Sequence, residues 1–317
     1  MRTLKVGVVM DPIDKINIDK DTTFVMMLEA QQRGHETFYM EMGDLFIKDA
    51  VPHGAIRPVR VVRGKPHFEL GPSETKPLVW FDVILMRKDP PFDLQFFFAT
   101  HLLSLVDAKQ CVVINDPHGL REATEKLYAL NFPEIIPPSI VSSSIHQLKA
   151  FIEEQGGEII IKPLEGAGGR GVLYLNSRDR NVNAILELVT AEGRVPVMGQ
   201  RYLAEVRQGD KRVLVLNGEP IGALLRIPRE NDNRANLHAG GSSAAAKITP
   251  RDREICRALA GSFKELGLYF VGLDIIGGFL TEVNVTSPTC VQEINAFDAV
   301  KLEAKIIDFV EKKAPKT

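Results

Sequence analysis

Residues 4–10 form a near-continuous apolar run, the pattern of a strand buried on both faces of a parallel sheet. Residues 22–33 follow with helical spacing, and Gly34 stands as the stop. Short apolar runs recur at 37–40, 79–86 and 111–115, with a helical segment at 94–107 and a polar β excursion at 55–70. Alternation of this kind predicts an open, mostly parallel α/β sheet over the amino-terminal third.

A second region starts near Arg121. Ser144 and Gln147 have the spacing of a capping box, predicting a helix to about residue 155 that Gly156-Gly157 ends. Strands are expected at 158–163, 172–175 and 197–202, with a helix at 181–192. In the last region, apolar runs at 211–216 and 220–227 flank Asn217-Gly218, a strong hairpin signal. Residues 228–249 are polar, a connection of the length that is usually disordered or functional. Thr249 and Pro250 open a helix with Ile255, Leu259, Phe263 and Leu266 on one face and Gly267 at its end. Strands are predicted at 270–276 and 280–285, and a closing helix at 298–313.

The last hairpin carries the sharpest chemistry. Glu282 and Asn284 are two apart on one strand and face the same way. A two-residue Gly277-Gly278 loop would set Asp274 on the opposite face. A three-residue loop including Phe279 sets it opposite Glu282 and also keeps the apolar residues together, so the three-residue loop is the expectation. Asp274, Glu282 and Asn284 are oxygen donors, suited to Mg²⁺ shared with phosphates and not to zinc. A solvated polar strand face is the plain alternative.

Lys162 ends a strand ahead of Glu165-Gly166-Ala167-Gly168-Gly169-Arg170-Gly171, where glycines let backbone amides approach phosphate oxygens. The run is neither a P-loop nor a dinucleotide fingerprint. On its own it reads equally well as a tight turn, and Lys126 as a solvated helix lysine. Gln200-Arg201-Tyr202-Leu203 follows a strand where backbone groups could meet a base. Arg212 and Arg226 flank the Asn-Gly turn, and a strict two-residue turn points them apart. They share a face only if a bulge or twist intervenes. Arg87 opens Arg87-Lys88-Asp89-Pro90-Pro91-Phe92-Asp93 at the carboxyl end of a strand, where ligands bind in open α/β sheets. Thr286-Ser287-Pro288-Thr289 offers hydroxyl and backbone donors to a carboxylate.

Composition narrows the class. The 317 residues exceed one compact core, and 44% apolar with 25% charged residues is ordinary for a globular enzyme. A net charge of −2 gives no electrostatic reason for nucleic acid or an anionic membrane. Cys111, Cys256 and Cys290 are odd in number and form no CxxC pair, which fits a reduced, cytoplasmic setting. The first ten residues read as a strand and not as a signal peptide, and no apolar run reaches the ~18 residues of a membrane span. The seven histidines have no ligand spacing, and Cys290 has no matching base.

Taken in order, these stretches resemble the ATP-grasp superfamily, and within it the bacterial glutathione synthetases. The resemblance runs almost the full length. It rests on residues 9–13, 39–45, 84–93, 209–215 and 270–277, and above all on Thr281-Glu282-Val283-Asn284-Val285-Thr286-Ser287-Pro288-Thr289-Cys290. It implies an α/β fold: an open, mostly parallel domain over 1–121, then an ATP-grasp domain over about 126–311, divided into a lid subdomain (122–202) and a core subdomain (203–317). It implies ligation of γ-glutamylcysteine to glycine with ATP and Mg²⁺, or Mn²⁺, by a cytoplasmic homotetramer. Lys126 and Lys162 would hold ATP phosphates, with Glu165, Gly166, Gly168 and Gly169 covering them, Gln200, Arg201, Tyr202 and Leu203 meeting adenine, and Asp210 and Asp274 completing the nucleotide site. Asp274, Glu282 and Asn284 would hold the metal. Arg212 and Arg226 would stabilise the transferred phosphate. Arg87, Asn236, Gly240, Gly241, Ser287, Pro288 and Thr289 would bind substrate, and residues 227–241 would form a lid. The rivals are another ATP-grasp ligase, which the 84–93 run disfavours, and an ATP-binding protein without ligase activity.

Overall fold

The structure is a computed structural model describing residues 2–229 and 240–315. Strands Glu36–Met40, Lys5–Val9, Val83–Met86 and Val112–Ile114 run parallel in that order, as the apolar runs predict. Val6, Val8 and Val9 are buried to 1% exposure or less, so the strand is covered on both faces. The helix Thr22–Gln32 covers one side; its first turn is capped by the Asp21 carboxylate, which accepts from the Phe24 amide at 2.6 Å. The polar excursion begins earlier than expected, as the long strand Val51–Val61, against which Phe68–Leu70 and Glu74–Pro77 fold back.

The middle of the chain forms a four-stranded antiparallel sheet, ordered Leu173–Asn176, Glu158–Pro163, Val197–Arg201, Ser139–Ser142. Helices Ile145–Glu154 and Val182–Val189 close over it, and Leu148, Ile159, Ile161 and Leu186 fill a core of its own. Only half of the expected capping box forms. Ser144 Oγ accepts from the Gln147 amide at 3.4 Å, while the Gln147 side chain turns to Ser142 Oγ.

A third sheet, antiparallel throughout, is ordered Ser242–Ala245, Glu219–Ile227, Asp210–Leu216, Phe270–Ile276, Phe279–Asn284. Three expectations need correction here. The polar connection 228–249 contains the strand Ser242–Ala245, whose small residues carry no apolar signal. The closing segment is two helices, Val291–Asp298 and Leu302–Lys313, parted by Ala299 at φ +52°; the first lay hidden behind the Thr-Ser-Pro-Thr run. The last hairpin turns through two residues, Gly277 and Gly278, and not three. Phe279 pairs with Ile276, and a register shift beyond Ile275 then leaves Thr281 unpaired across the ladder and brings Asp274 opposite Glu282. The expected register at the site thus holds for a different reason.

Two of the three cores ignore the boundary between the first and third sheets. One joins Val9, Phe38 and Ile84 to Val213, Val271 and Leu280; the other joins Val8 and Phe24 to Leu214, Ile294 and Ile306. Asn115 ties the same halves by hydrogen bonds. Its Nδ2 donates to the Phe270 and Val285 carbonyls at 2.8 Å each, and its Oδ1 accepts from the Tyr269 and Phe270 amides at 2.8 Å each. Among the described residues no helix is long and apolar enough to cross a membrane.

Candidate active site

The site lies where the faces of the three sheets converge, in a cleft of about 640 Å³. Arg212, Arg226, Glu282, Asn284 and Glu125 line it, with Ala167, Gly168 and Arg170 of the glycine loop on one side and Ser287, Thr289 and Cys290 on another.

Both arginines do share one face. The turn Asn217-Gly218 keeps Leu216 opposite Glu219, but a bulge at Ile221 shifts the register, so Arg212 faces Leu224 and Arg226 faces Asp210. Arg212 and Asp210 are two apart on their strand, which puts both guanidiniums and the Asp210 carboxylate on one side. Asp274 sits between them. Arg212 Nε donates to its Oδ1 at 2.5 Å and Arg212 Nη2 to its Oδ2 at 3.0 Å, and Arg226 Nη2 forms an ion pair with Oδ2 at 2.9 Å. Arg226 Nη2 also reaches Asp210 Oδ2 at 2.5 Å.

Burial pushes the Asp274 carboxyl up, but Arg212 and Arg226 outweigh it and hold the group well below the usual carboxylate range. Asp210 has one such contact, and burial pushes it up to about 6 against the pull of Arg226. Burial works against the charge of both arginines too, and the carboxylates reverse it, so both stay protonated. Arg226 Nε and Asp210 Oδ1 are buried with no hydrogen-bond partner among the described residues. An orphaned donor beside the cleft costs about 1–3 kcal/mol unless a ligand or water completes it.

The oxygen donors fall on one face as expected. Asn284 Nδ2 donates to the Gly272 carbonyl at 3.2 Å and to Asp274 Oδ2 at 3.3 Å. Glu282 Oε1 lies 3.7 Å from Lys162 Nζ. Among the described residues no group of three His, Cys, Asp or Glu forms a self-contained metal cage. A carboxylate and an amide, completed by phosphate oxygens and water, is nonetheless the donor set that Mg²⁺ takes. Glu282 and Asn284 fit that set, whereas both Asp274 oxygens are engaged by the arginines.

Lys126 is buried, and its ammonium donates to the Gly166 carbonyl at 2.8 Å. It stands in a turn and not on a solvated helix; the Val283 amide donates to the Glu125 carbonyl at 2.9 Å and docks that turn on the last hairpin. Lys162, also buried, donates to Gln200 Oε1 at 3.1 Å. Gly166, Gly168, Gly169 and Gly171 all have φ between +68° and +100°, a backbone that side chains resist. Glu165 is exposed. Gln200 is buried in its strand, Leu203 is buried just beyond it, Arg201 stacks over Phe279 at 5.3 Å, and Tyr202 meets Tyr174 edge-on at 4.9 Å.

Arg87 reaches the site from behind. Its Nη2 donates to the Pro288 carbonyl at 2.8 Å and its Nε to Thr23 Oγ1 at 3.1 Å. Burial lowers it to about 10, which still leaves it charged. Arg87 therefore pins the Ser287–Thr289 loop, and Ser287 and Thr289 face the cleft while Pro288 is buried. Gly240 accepts from Arg229 Nε at 2.9 Å, and Gly241 leads into the strand paired with Arg226. Asn236 and most of the 227–241 segment lie outside the described residues.

Glu125, Asp21, Lys20, Asn17 and Glu293 also line the cleft, and no motif in the sequence singles them out. Burial and the neighbouring Glu282 carboxylate push Glu125 up to about 7. Its one sequence signal is adjacency to Lys126.

Family models for the prokaryotic glutathione synthetase N-terminal domain and for its ATP-grasp domain match residues 4–121 and 125–299. The chain is 44% identical over 310 residues to a glutathione synthetase of Shewanella oneidensis, covering 97% of this chain and 98% of that one. It is 45% identical over 313 residues to one of Yersinia pestis, with 98% of each covered. Among solved structures, D-cycloserine synthetase DcsG superposes with a TM-score of 0.68 at 15% identity over 98% of this chain and 99% of that one. The ATP-grasp ligase PsnB, complexed with a minimal precursor, Mg and ADP, gives 0.62 at 17% over 98% of each; at such identities these two speak for the fold alone. Two buried arginines, two buried lysines, a glycine loop and an oxygen-donor hairpin round one cleft suit ATP and a divalent metal, and the chain belongs to the prokaryotic glutathione synthetase family, ATP-dependent ligases of the ATP-grasp fold that make glutathione.

Proposed function

We propose that the chain joins the cysteinyl carboxylate of γ-glutamylcysteine to the amine of glycine, consuming ATP and releasing ADP and phosphate through an acyl phosphate. The observation that carries this is the pair Arg212 and Arg226, buried on one face and turned into the cleft that Glu282, Asn284 and the glycine loop also line. A carboxylate attacking a phosphoryl group in line needs charge neutralisation and alignment more than a protein nucleophile. In this reading Lys126 and Lys162 hold the ATP phosphates and Gly166, Gly168 and Gly169 cover them, with Glu165 at the loop's edge. Gln200, Arg201, Tyr202 and Leu203 border the adenine. Asp210 and Asp274 fix the arginine forks, and Arg212 and Arg226 stabilise the charge that develops on the transferred phosphoryl and on the tetrahedral species after amine attack.

Glu282 and Asn284 would hold the metal, with Asp274 beside them. Magnesium, or manganese in its place, would neutralise phosphate charge there. Ser287, Pro288 and Thr289, held by Arg87, would position the dipeptide, and Asn236, Gly240 and Gly241 the far side of the substrate. Residues 1–121 serve as the substrate-side domain, 122–202 as the lid subdomain and 203–317 as the core subdomain. Cytoplasmic residence agrees with three free, buried cysteines. Assembly as a homotetramer rests on family likeness; exposed Leu94 and Phe98 offer it an apolar contact.

The test is ADP release with Mg-ATP, giving γ-glutamylcysteine and glycine separately and together. Release that needs both, with glutathione forming in equal amount, is the expected result. Equal release with other acid–amine pairs would leave only the ligase class, and no release at all would favour an ATP-binding protein.

A further inference from the structure

Lys162 and Glu282 meet across the cleft from two different sheets. Lys162 lies near the end of the strand Glu158–Pro163 in the middle sheet, and Glu282 stands on Phe279–Asn284 in the third. Their charged atoms are 3.7 Å apart, with side chains 8% and 18% exposed. At that separation they balance charge without a hydrogen bond, so a better-placed anion can take the lysine over. The middle sheet aims the lysine. Its ammonium donates to Gln200 Oε1 at 3.1 Å, and Gln200 Nε2 donates to Ser139 Oγ at 3.1 Å.

The other acidic groups at this end of the cleft are matched as well. Asp274 is held by both arginines and Asp210 by Arg226. Glu125 feels the Glu282 carboxylate, and Lys126 and Arg212 answer its charge. Asn284 uses its amide hydrogens on the Gly272 carbonyl and Asp274 Oδ2, which leaves a neutral oxygen as its contribution. A bare divalent cation therefore meets no uncompensated negative charge here, although it needs such charge to shed its water. A nucleotide complex of the same cation differs, because its phosphates bring negative charge of their own and compete with Glu282 for the lysine.

We propose that Lys162 gates the metal: paired with Glu282 it keeps a free divalent cation out, and it yields that carboxylate only to a cation arriving with phosphate. The gate rests on the assignment of Glu282 and Asn284 as metal ligands made above. It gives one lysine two duties, holding phosphate and setting the order in which metal and nucleotide enter. It also stops divalent cations that bind nitrogen and oxygen ligands more tightly than magnesium from taking the site ahead of the nucleotide.

Electron paramagnetic resonance of Mn²⁺ reads binding without turnover. Without nucleotide, wild type should hold Mn²⁺ with a Kd of about 1 mM or weaker. Lys162→Met, which keeps most of the stem, should tighten binding ~10- to 100-fold, and adding Glu282→Gln should remove the gain. Lys162→Gln, a second uncharged variant, should behave as Lys162→Met does, whereas Lys162→Arg restores the charge and should bind as weakly as wild type. Unchanged Mn²⁺ affinity in both uncharged variants, an equal gain in Lys162→Arg, or a gain that survives Glu282→Gln would overturn the gate. The metal assignment is read separately with ADP present: wild type should bind the Mn-ADP complex, and Glu282→Gln alone should bind it ~10-fold or more weakly. If Glu282→Gln leaves Mn-ADP binding unchanged, the assignment itself falls and the gate with it.

Discussion

Asp274 shows how much one residue carries at this site. It is 2% exposed, yet it stays ionised because two guanidiniums close on it. Removing either arginine leaves buried charge less well matched, which is strongly destabilising in general. Arg212→Ala should therefore lower the unfolding temperature, and it should lower kcat on the order of 10²-fold or more, as loss of a transition-state donor does. The Kd for ATP should move by only about threefold, because in this account the lysines and the glycine loop hold the ground-state nucleotide. Equal losses in kcat and ATP affinity would remove Arg212 from its transition-state role. Glu125 behaves in the opposite sense. Its folded pKa of about 7 lies above the ordinary 4.5, so between those values the folded state keeps a proton that the unfolded state has released. Its contribution to stability is thus lost as pH rises through that window. Glu125→Gln in metal-free, nucleotide-free protein should raise the unfolding temperature at about pH 8 and lose that advantage toward about pH 4. A constant offset across pH would contradict this.

At the scale of elements, the legible and illegible parts of the chain separate for physical reasons. Buried parallel strands and capped helices show themselves in apolar runs, in Thr249-Pro250 and in glycine stops, and they lie where the patterns place them. Side-chain direction near a bulge is different, because one unpaired residue reverses the face of everything beyond it. The Asn217-Gly218 turn was readable, but the Ile221 bulge that brings Arg226 beside Arg212 left no mark in sequence. Likewise the Asp274–Glu282 register was reachable from the apolar residues, while its source, Thr281, was not; the Thr281 hydroxyl donates to the Asp274 carbonyl at 3.1 Å and occupies the irregularity. Capping gives a clean test at this scale. Thr249 Oγ1 accepts from the Asp252 amide, and Asp252 Oδ2 accepts from both the Thr249 amide at 2.7 Å and Lys211 Nζ at 2.9 Å. Thr249→Ala should cost about 1 kcal/mol. Asp252→Ala should cost more, since it also strands a half-buried ammonium on the strand that bears Arg212. Thermal melts should rank the two in that order with kcat nearly unchanged for Thr249→Ala; the reverse ranking would refute the shared role of Asp252.

For the whole molecule, the sequence suggests three lobes, and the packing joins two of them. The first and third sheets share both large cores, with Asn115 bonded four times across the junction, whereas the middle sheet has a core to itself. Contacts between residues so far apart in sequence are invisible to local pattern, and so are the cleft residues that come from both ends, Lys20 and Glu293 among them. The fragment 1–121 alone would lose the carboxyl-terminal residues that share its two cores, Val213, Val271, Leu214 and Ile306 among them. It should therefore show no cooperative thermal transition, and a well-folded fragment with a sharp melt would contradict the joint core.

In the proposed reaction a carboxylate oxygen attacks phosphorus and leaves with it. γ-Glutamylcysteine labelled with ¹⁸O in its cysteinyl carboxylate, turned over with Mg-ATP and glycine, tests this directly by mass spectrometry of the products. The account predicts that the inorganic phosphate carries one labelled oxygen for each glutathione formed from a fully labelled carboxylate, with ADP as the nucleotide product. Unlabelled phosphate, or label recovered in AMP, would contradict it.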